Sequence, residues 1–270
     1  MDTSFFERLV WRDDRMLLGD LVFRLQHHKS DTWELGEECF VFYKIKPLVD
    51  QYAAFWATRP DFRPRAVFEL GIFDGGSVAF WRELFGAQVQ KYVAADLARR
   101  ADSAYFRRYL SARGLERSVK TYWGTNQADR RRLRAIVGRE FAGPLDLVID
   151  DASHMYAPTK ASFETLFPLL RPGGLYVIED WAWAHWAEFH SPRHPWATKP
   201  PLTNLIVELV EAAGTSGELI ASIAVYQGFV VVERGLLALP DPAGFRLDRH
   251  IARRPGTPRL RRLLARITGK

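Results

Sequence analysis

The stretch AVFELGIFDGGS, residues 66–77, joins a short apolar run to a glycine-rich loop. Gly71 would allow a tight turn after the run, and Gly75 would let a ligand approach the backbone, because glycine adopts backbone angles that other residues avoid. The residues that follow have a helical pattern. A strand that runs through such a loop into a helix is the first unit of an α/β sheet.

Four further apolar runs follow, and helix-like segments separate them. The five runs lie at 66–70, 91–96, 119–124, 145–151 and 175–180, and the helical segments at 76–86, 102–113, 128–139 and 158–170. Strands that alternate with helices indicate βαβ units and a parallel sheet. The runs are apolar throughout, as expected of strands that are covered on both faces. Two later runs, ELIASIAVY and FVVVERG, are separated by Gln227-Gly228, which predicts an antiparallel hairpin.

These elements predict an α/β fold with a mostly parallel sheet and a C-terminal antiparallel hairpin, over residues 60–235. Residues 1–59 form an aromatic cap region with a helical and mixed pattern. RPDFRPR, at 59–65, contains two prolines and marks the boundary. Residues 236–270 are a basic tail.

The positive charge of the chain is concentrated in that tail. The net charge is +6, and residues 249–270 hold seven Arg, one Lys and no acid. Without those eight charges the rest of the chain carries −2, so we expect no nucleic-acid partner. An Arg-rich end is usually a solvated face or a disordered tail, and an arm for an anionic partner or a membrane surface is the alternative. Leu260, Leu263, Leu264 and Ile267 have the spacing of a short amphipathic helix.

The apolar runs are also too short for a membrane protein. None approaches the ~18 residues that cross a bilayer, and the first residues lack the apolar core of a signal peptide. The single cysteine, Cys39, cannot form an internal disulfide. We therefore expect a cytoplasmic protein without a transmembrane segment. A homo-oligomer is an option that the sequence leaves open.

Polar residues gather at the predicted carboxyl ends of the strands, where ligands bind in open α/β sheets. The glycine loop is not G-x-G-x-x-G, because Phe73 replaces the second glycine. The loop therefore favours a smaller, zwitterionic ligand over a pyrophosphate. Asp96 ends the second strand, where nucleoside-binding folds place an acid on ribose hydroxyls.

Three acids end the fourth and fifth strands. Asp151 ends the fourth strand, and Glu179 and Asp180 end the fifth. Adjacent strands lie about 5 Å apart, so these carboxylates can converge. They would repel each other unless a cation neutralises them, and a set of oxygen ligands suits Mg²⁺. His154, three residues after Asp151, would remove a proton nearby.

The pattern E-x-G-x-x-x-G, with an acid at the end of the next strand, resembles the S-adenosylmethionine (SAM) site of Rossmann-like methyltransferases. The resemblance covers roughly residues 60–235. It implies that residues 69 and 71 flank the methionine part of SAM, that residue 96 holds its ribose, and that residues 125–127 lie near its adenine. Asp150 would contact the SAM amino group or cap the following helix. The cofactor residues implied are Glu69, Gly71, Gly75, Ser77, Asp96, Thr125, Gln127 and Asp150.

The acids and the histidine resemble those of metal-dependent O-methyltransferases, which have an acid, a base three residues later and an acid pair on the next strand. Asp151, His154, Glu179 and Asp180 match those positions. With histidine at the base position, the sequence resembles the macrocin and mycinamicin sugar O-methyltransferases. It also resembles actinobacterial sugar methyltransferases, including the 1-O-methyltransferase of mycobacterial methylmannose polysaccharide. The resemblance implies SAM and Mg²⁺ as cofactors and a small-molecule or oligosaccharide acceptor.

The segment WAWAHWAEFHSPRHPWATKPP, residues 181–201, is predicted to form one wall of the acceptor pocket, because aromatic faces pack on sugar rings. A lid or an oligomer contact is the alternative. VFYKIKPL, residues 41–48, is either the opposite wall or ordinary core. Two other functions stay open: a catechol or phenol O-methyltransferase, and an NAD-dependent oxidoreductase. The aromatic loop and the histidine favour a sugar, and the glycine spacing disfavours NAD.

Overall fold

The structure is a computed structural model that describes residues 3–25 and 38–253. The cap region contains a small sheet in which four strands are hydrogen-bonded in chain order. The strands are β1 (Val10–Trp11), β2 (Arg15–Leu18), β3 (Leu21–Leu25) and β4 (Phe40–Phe42). Gly19, with φ of +58°, and Asp20 form a two-residue turn between β2 and β3. Helix α1 (Lys46–Ala57) follows the sheet.

The helical part of the prediction for residues 1–59 fits α1 and a 3₁₀ turn at Thr3–Arg8, whereas the rest of the described cap consists of strands and loops. The reason is a two-residue period: Met16, Leu18, Leu21 and Phe23 are buried and alternate with more exposed residues. A Gly-Asp turn between two such runs is itself a hairpin signal. Residues 26–37 lie outside the described residues.

The main sheet has seven strands in the order β10-β11-β9-β8-β5-β6-β7. Five of them are parallel, and the last two form the predicted hairpin, which pairs antiparallel with β9. This confirms the α/β fold with a mostly parallel sheet. The strands are β5 (Ala66–Leu70), β6 (Lys91–Asp96), β7 (Val119–Trp123), β8 (Leu145–Asp150), β9 (Leu170–Glu179), β10 (Ile220–Val225) and β11 (Phe229–Arg234).

Helices cover both faces of this sheet, which explains why its strands are apolar on both sides. One face packs against α1, α2 (Gly76–Phe85) and α3 (Ala104–Ala112), and shares a single core with the cap. The other face packs against α4 (Arg130–Glu140), α5 (Tyr156–Leu166) and α6 (Thr203–Thr215). Val67 and Ile149 belong to the first face, and Phe68 and Val148 to the second. The cap is therefore packed on the sheet rather than standing apart from it.

The order of the strands creates a crevice between β5 and β8. The chain proceeds from β5 to one side of the sheet, through β6 and β7, and then returns to the other side through β8 and β9. The loops that leave two such strands turn away from each other, so open α/β sheets bind ligands there. The backbone N–H of Asp151 donates to the Leu70 carbonyl at 2.9 Å and holds the two strand ends together.

The described part of the C-terminal region packs on α6. Phe245 and Leu247 are buried, and Arg253 pairs with Glu211 of α6. The amphipathic helix predicted at 260–267 lies outside the described residues. None of the helices in the described ranges has the length and apolar character that crossing a membrane requires.

Candidate functional site

The loop between β5 and α2 needs glycine at two positions. Gly71 has φ of +82°, and a Cβ atom there would lie 2.0 Å from the Asp151 carbonyl oxygen. Gly75 has φ of +86°, and a Cβ atom there would lie 2.8 Å from the Phe106 ring. Both glycines are therefore required by close packing of the chain on itself. At Gly75 the group that a Cβ atom would meet is the ring of Phe106, and the approach of a ligand to this backbone stays a prediction.

Asp96, at the end of β6, holds the same loop. Its Oδ2 accepts hydrogen bonds from the backbone N–H groups of Ile72 at 3.0 Å and Phe73 at 2.9 Å, and its Oδ1 accepts one from Ala98 at 2.8 Å. Phe73 has φ of +48°, a left-handed conformation that is unfavourable for a bulky residue. A strained backbone conformation persists only where surrounding contacts stabilise it, and the hydrogen bond from the Phe73 N–H to Asp96 is one of those contacts.

A cavity of about 300 Å³ lies at the carboxyl ends of β5, β6 and β7. Four predicted cofactor residues line it, namely Gly71, Asp96, Thr125 and Gln127. The side-chain oxygen of Thr125 is buried and has no hydrogen-bond partner among the described residues. Leu97, which is 68% exposed, adds an apolar surface. The cavity thus combines a carboxylate, an unsatisfied hydroxyl and an apolar side chain.

A smaller cavity of about 40 Å³ lies next to the first, and Gly71 lines both. Ser77, another predicted cofactor residue, also lines it. Glu69 is fully buried in β5 and accepts a hydrogen bond from the Tyr92 hydroxyl at 2.6 Å. Burial raises the pKa of Glu69 to about 8, against the opposing effect of the Tyr92 hydrogen bond.

Asp150, the last residue of β8, has different surroundings from Asp151, which follows it. Asp150 is 2% exposed and accepts hydrogen bonds from Gln127 at 3.0 Å, Tyr176 at 2.8 Å and Ser162 of α5. Burial raises the pKa of Asp150 to about 6. Consecutive residues of a strand point to opposite faces, so Asp150 lies on the face that α5 covers. Asp150 is not among the residues that line the cavities described here, and its contact with the SAM amino group stays a prediction.

Asp151, His154 and Asp180 form a cluster, in which one ligand atom from each residue lies within 4.8 Å of the others. The Nε2 atom of His154 is 3.9 Å from Asp151 Oδ1 and 3.9 Å from Asp180 Oδ2. His154 and Asp180 have φ of +55° and +50°. Left-handed residues of this type typically cost about 1–3 kcal/mol each and concentrate at functional sites. The oxygen atoms of this cluster suit a hard divalent cation.

Glu179, the third predicted metal ligand, is bonded elsewhere. It is 2% exposed; its Oε2 accepts from Lys44 Nζ at 2.6 Å and its Oε1 accepts from the Tyr52 hydroxyl at 2.7 Å. Lys44 also donates to Asp151 Oδ2 at 2.7 Å. Burial and the Asp151 carboxylate raise the pKa of Glu179, with Lys44 opposing them. Although burial alone would lower the pKa of Lys44, Asp151 and Glu179 raise it.

Sequence reasoning did not assign Lys44 or Tyr52 to the site. Lys44 is 3% exposed and stands within the apolar run VFYKI. A lysine in such a run is a usable signal, because lysine is almost never fully buried unless an acid pairs with it. Tyr52 carries no comparable signal. Its ring stacks on Phe229 at 4.0 Å between centroids, a contact that only the packing of α1 on β11 creates.

A third cavity, of about 310 Å³, borders the acids. Asp151, Glu179 and Asp180 line it from the sheet, Trp186 and Glu188 from the aromatic loop, and part of the 41–48 segment from the cap. Residues of both segments that were predicted as pocket walls therefore line one cavity. Trp186 is the tryptophan of the loop that lines this cavity.

Two other tryptophans of the loop donate hydrogen bonds to backbone carbonyl groups instead. Trp183 is 3% exposed, and its indole N–H donates to the His154 carbonyl at 2.8 Å. Trp181 donates to the Tyr226 carbonyl at 2.8 Å. The hydrogen bond from Trp183 restrains the left-handed backbone of His154. Trp183 therefore positions the imidazole of His154 without lining the cavity.

Comparison with known proteins identifies relatives of this chain. Residues 68–181 match the family model described as a methyltransferase domain. The chain is 36% identical over 192 residues to the 8-demethyl-8-alpha-L-rhamnosyl tetracenomycin-C 2'-O-methyltransferase of Streptomyces olivaceus, covering 68% of this chain and 43% of that protein. It is 35% identical over 133 residues to the mycinamicin VI 2''-O-methyltransferase of Micromonospora griseorubida, covering 44% of this chain and 33% of that protein. The chain thus spans less than half the length of these relatives.

A solved structure shares the fold. The MycE methyltransferase from the mycinamycin biosynthetic pathway, in complex with Mg, SAH and mycinamycin VI, aligns with a TM-score of 0.52 and 28% identity. The alignment covers 72% of this chain and 51% of that one. The predicted resemblance to O-methyltransferases of the mycinamicin and macrocin type is confirmed, as is the Rossmann-like fold.

Proposed function

From the premise that residues 68–181 form a methyltransferase domain, we propose that this protein is a SAM- and Mg²⁺-dependent O-methyltransferase that acts on a sugar hydroxyl. The observation that carries the proposal is the Asp151, His154 and Asp180 cluster beside three neighbouring cavities, of which the 40 Å³ cavity shares lining residues with each of the other two. A donor and an acceptor would then lie on either side of a base and a cation site.

The order of the cavities along the edge of the sheet supports one placement of the cofactor. Gly71 lines both the 300 Å³ and the 40 Å³ cavities, and Tyr43, Lys44 and Asp151 line both the 40 Å³ and the 310 Å³ cavities. The adenosine part of SAM would lie in the first, beside the Asp96 carboxylate, which can accept hydrogen bonds from ribose hydroxyls. The methionine part would lie in the small cavity, and the transferable methyl group would face the third.

His154 would act as the general base. A sugar hydroxyl is a weak nucleophile at neutral pH, and removal of its proton by a positioned base typically contributes about 10²–10⁴-fold. The acceptor oxygen would bond to the methyl carbon as the carbon–sulfur bond breaks, and the hydroxyl proton would pass to His154 Nε2. The Trp183 bond to the His154 carbonyl keeps this nitrogen near Asp151 and Asp180.

Asp151 and Asp180 would hold the divalent ion. Their carboxylates are partly exposed, lie on the third cavity, and supply the oxygen ligands that Mg²⁺ prefers. When bound, Mg²⁺ supplies Lewis-acid polarisation of the acceptor oxygen. The MycE structure is a complex with Mg, and this similarity supports the choice of Mg²⁺ as the metal for this protein.

The third cavity supports a sugar as the acceptor. Tyr43 and Trp186 offer aromatic faces, and Gln51 and Glu188 offer hydrogen-bonding groups at its rim. The relatives named above are, by their names, O-methyltransferases of mycinamicin VI and of a rhamnosyl tetracenomycin-C. Among sugar acceptors, we propose a glycosylated metabolite or a saccharide. A methylmannose oligosaccharide is a specific candidate for the saccharide.

The test is a screen for SAM-dependent transfer of one methyl group, read by mass spectrometry. The panel contains rhamnosylated and macrolide glycosides, partially methylated mannosides, and catechol as the phenolic alternative. We expect transfer to a glycoside, abolished by EDTA and restored by Mg²⁺. Transfer to catechol alone would exclude the sugar, full activity in EDTA would exclude the metal, and failure to bind SAH by calorimetry would exclude a methyltransferase.

A further inference from the structure

The basic tail leaves the described part of the chain beside α6. The backbone N–H of Ala252 donates to Thr215 Oγ1 at 3.0 Å, and Arg253 Nε donates to Glu211 Oε1 at 2.9 Å. These two contacts lie about one helical turn apart, and the second is nearer the start of α6. The last described residues therefore run antiparallel to α6, toward the N-terminal half of that helix.

The outer face of α6 is apolar and open. Val207 and Val210 are each 53% exposed. Gly214 lies on the same side of the helix, and a Cβ atom there would meet nothing within 4 Å. Positions i, i+3 and i+7 share one side of a helix, so these three residues form a stripe about 10 Å long. The stripe offers apolar surface and room for a second helix to approach closely.

Residues 260–267 carry a matching stripe. The apolar residues of this segment recur with helical spacing, at Leu260, Leu263, Leu264 and Ile267, and arginines occupy three of the other four positions. We propose that this segment docks as a helix on the outer face of α6, so that the basic tail is an intramolecular strap. The anionic partner of the tail is then an acidic region of the same chain, rather than a nucleic acid or a membrane surface.

The connecting segment is long enough for this docking. Residues 254–259 have the sequence RPGTPR, in which two prolines and a glycine favour a turn or an extended chain over a helix. Six extended residues span up to about 20 Å. Val207 lies only about 6 Å along the axis of α6 from Glu211, where the described contacts of the tail stop. The tail can therefore reach every part of the stripe.

Charge complementarity supports the same pairing. Residues 254–270 hold five Arg, one Lys and no acid. Residues 200–233, which contain α6 and the β10–β11 hairpin, hold four acids and no Lys or Arg. The ion pair between Arg253 and Glu211 is a first contact between the two regions. Exposed charges attract each other within a Debye length of about 8 Å at physiological ionic strength, so a tail that starts at α6 is held close to it.

The tether favours the tail of the same chain over a second molecule. A helix as short as residues 260–267 is not stable alone in water, so it needs an apolar surface on which to order. The stripe on α6 supplies that surface, and docking removes both apolar stripes from water. A short linker gives the tail an effective concentration in the millimolar range beside α6, which a second molecule does not reach in dilute solution.

Disulfide formation measures the docking directly, without SAM or an acceptor. In a Cys39→Ser background, Val210→Cys is paired in turn with Leu263→Cys and with Leu264→Cys, since the two tail positions allow for the register. Gly217→Cys replaces Val210→Cys in the matched control. Gly217 lies in open space two residues beyond the end of α6, about as near the point where the tail leaves, but off the stripe.

We expect the better of the two Val210→Cys pairs to form an intramolecular disulfide at least about ten-fold faster than either Gly217→Cys pair. Docking would hold the first pair together, whereas the second would meet only by chance within reach of the tether. Non-reducing electrophoresis at low protein concentration gives the rates, and mass spectrometry of tryptic peptides identifies the linked residues. Equal rates at the two positions would overturn the proposal.

A second set of variants tests the apolar stripe of the tail. Leu260→Ser with Ile267→Ser should lower the rate of the Val210→Cys pair to about that of the control, because half of the stripe is lost. Thr257→Ser with Thr268→Ser, which lie off the stripe, should keep the preference. A preference that survives the loss of Leu260 and Ile267 would contradict apolar docking.

The other occupants of the α6 stripe and of the tail are distinct outcomes. Disulfides that join two chains, seen at twice the molecular mass, would identify a second copy as the partner of the tail. Equal rates at the two positions, together with cosedimentation with phosphatidylserine vesicles that Leu260→Ser with Ile267→Ser abolishes, would identify a membrane surface. Either result would overturn the intramolecular strap.

Discussion

Replacing Trp183 by phenylalanine tests how the proposed base is positioned. The indole N–H of Trp183 donates to the His154 carbonyl at 2.8 Å, and His154 has φ of +55°. The substitution removes this hydrogen bond and keeps an aromatic ring in the buried site. The backbone of His154 can then relax toward ordinary angles, which moves the imidazole away from Asp151 and Asp180.

The size of the effect follows from these two contributions. A hydrogen bond within a protein contributes about 0.5–1.5 kcal/mol net, and a left-handed residue stores about 1–3 kcal/mol of strain that the bond helps to hold. Since about 1.4 kcal/mol corresponds to a factor of ten, the ratio of molecules with His154 in place to molecules with it displaced should fall about ten-fold. We therefore expect kcat to fall by up to about ten-fold, with unchanged affinity for SAH.

Trp181→Phe is the matched control. Its indole donates to the Tyr226 carbonyl at the same 2.8 Å, within the same aromatic loop, but not to His154. Both variants should lose about 1 kcal/mol of unfolding free energy in urea titrations from the hydrogen bond. The drop in kcat should appear in Trp183→Phe and not in Trp181→Phe. Equal kcat values in the two variants would refute a positioning role for Trp183.

Three further outcomes are expected. His154→Ala should lower turnover by about 10²–10⁴-fold while calorimetry shows unchanged SAH affinity, and lost SAH binding would instead indicate a structural role. Gly71→Ala should abolish SAH binding and lower the melting temperature, since its Cβ atom would lie 2.0 Å from a backbone oxygen, whereas Gly138→Ala, in open space on α4, should stabilise the fold by about 0.5–1 kcal/mol. Glu69 has a folded pKa of about 8 against an ordinary value of 4.5, so the folded state retains its proton longer. Between those pH values the unfolding free energy of the wild type should therefore fall relative to Glu69→Gln by about 1.4 kcal/mol per pH unit, and a difference independent of pH would contradict the raised pKa.

Local patterns in the sequence determined the main sheet. Apolar runs that alternate with helical segments are long and regular enough to identify five parallel strands and the hairpin, although β9 begins at Leu170 rather than at 175. The missing part was the small sheet of the cap, whose strands are only two to five residues long. Short strands carry weak signals, and their pairing depends on packing against α2 and α3.

The sequence by itself also determined which acids meet at the crevice, because the carboxyl ends of adjacent parallel strands must lie at one edge of a sheet. Asp96, Asp151 and Asp180 are there for that reason. What only the tertiary structure decided is how each acid is used. The pleat turns Asp150 toward α5, and Lys44 reaches Glu179 across 135 residues of chain. Contacts of that range depend on how the cap packs over the sheet, and no local pattern encodes the distance between two side chains that meet only after folding.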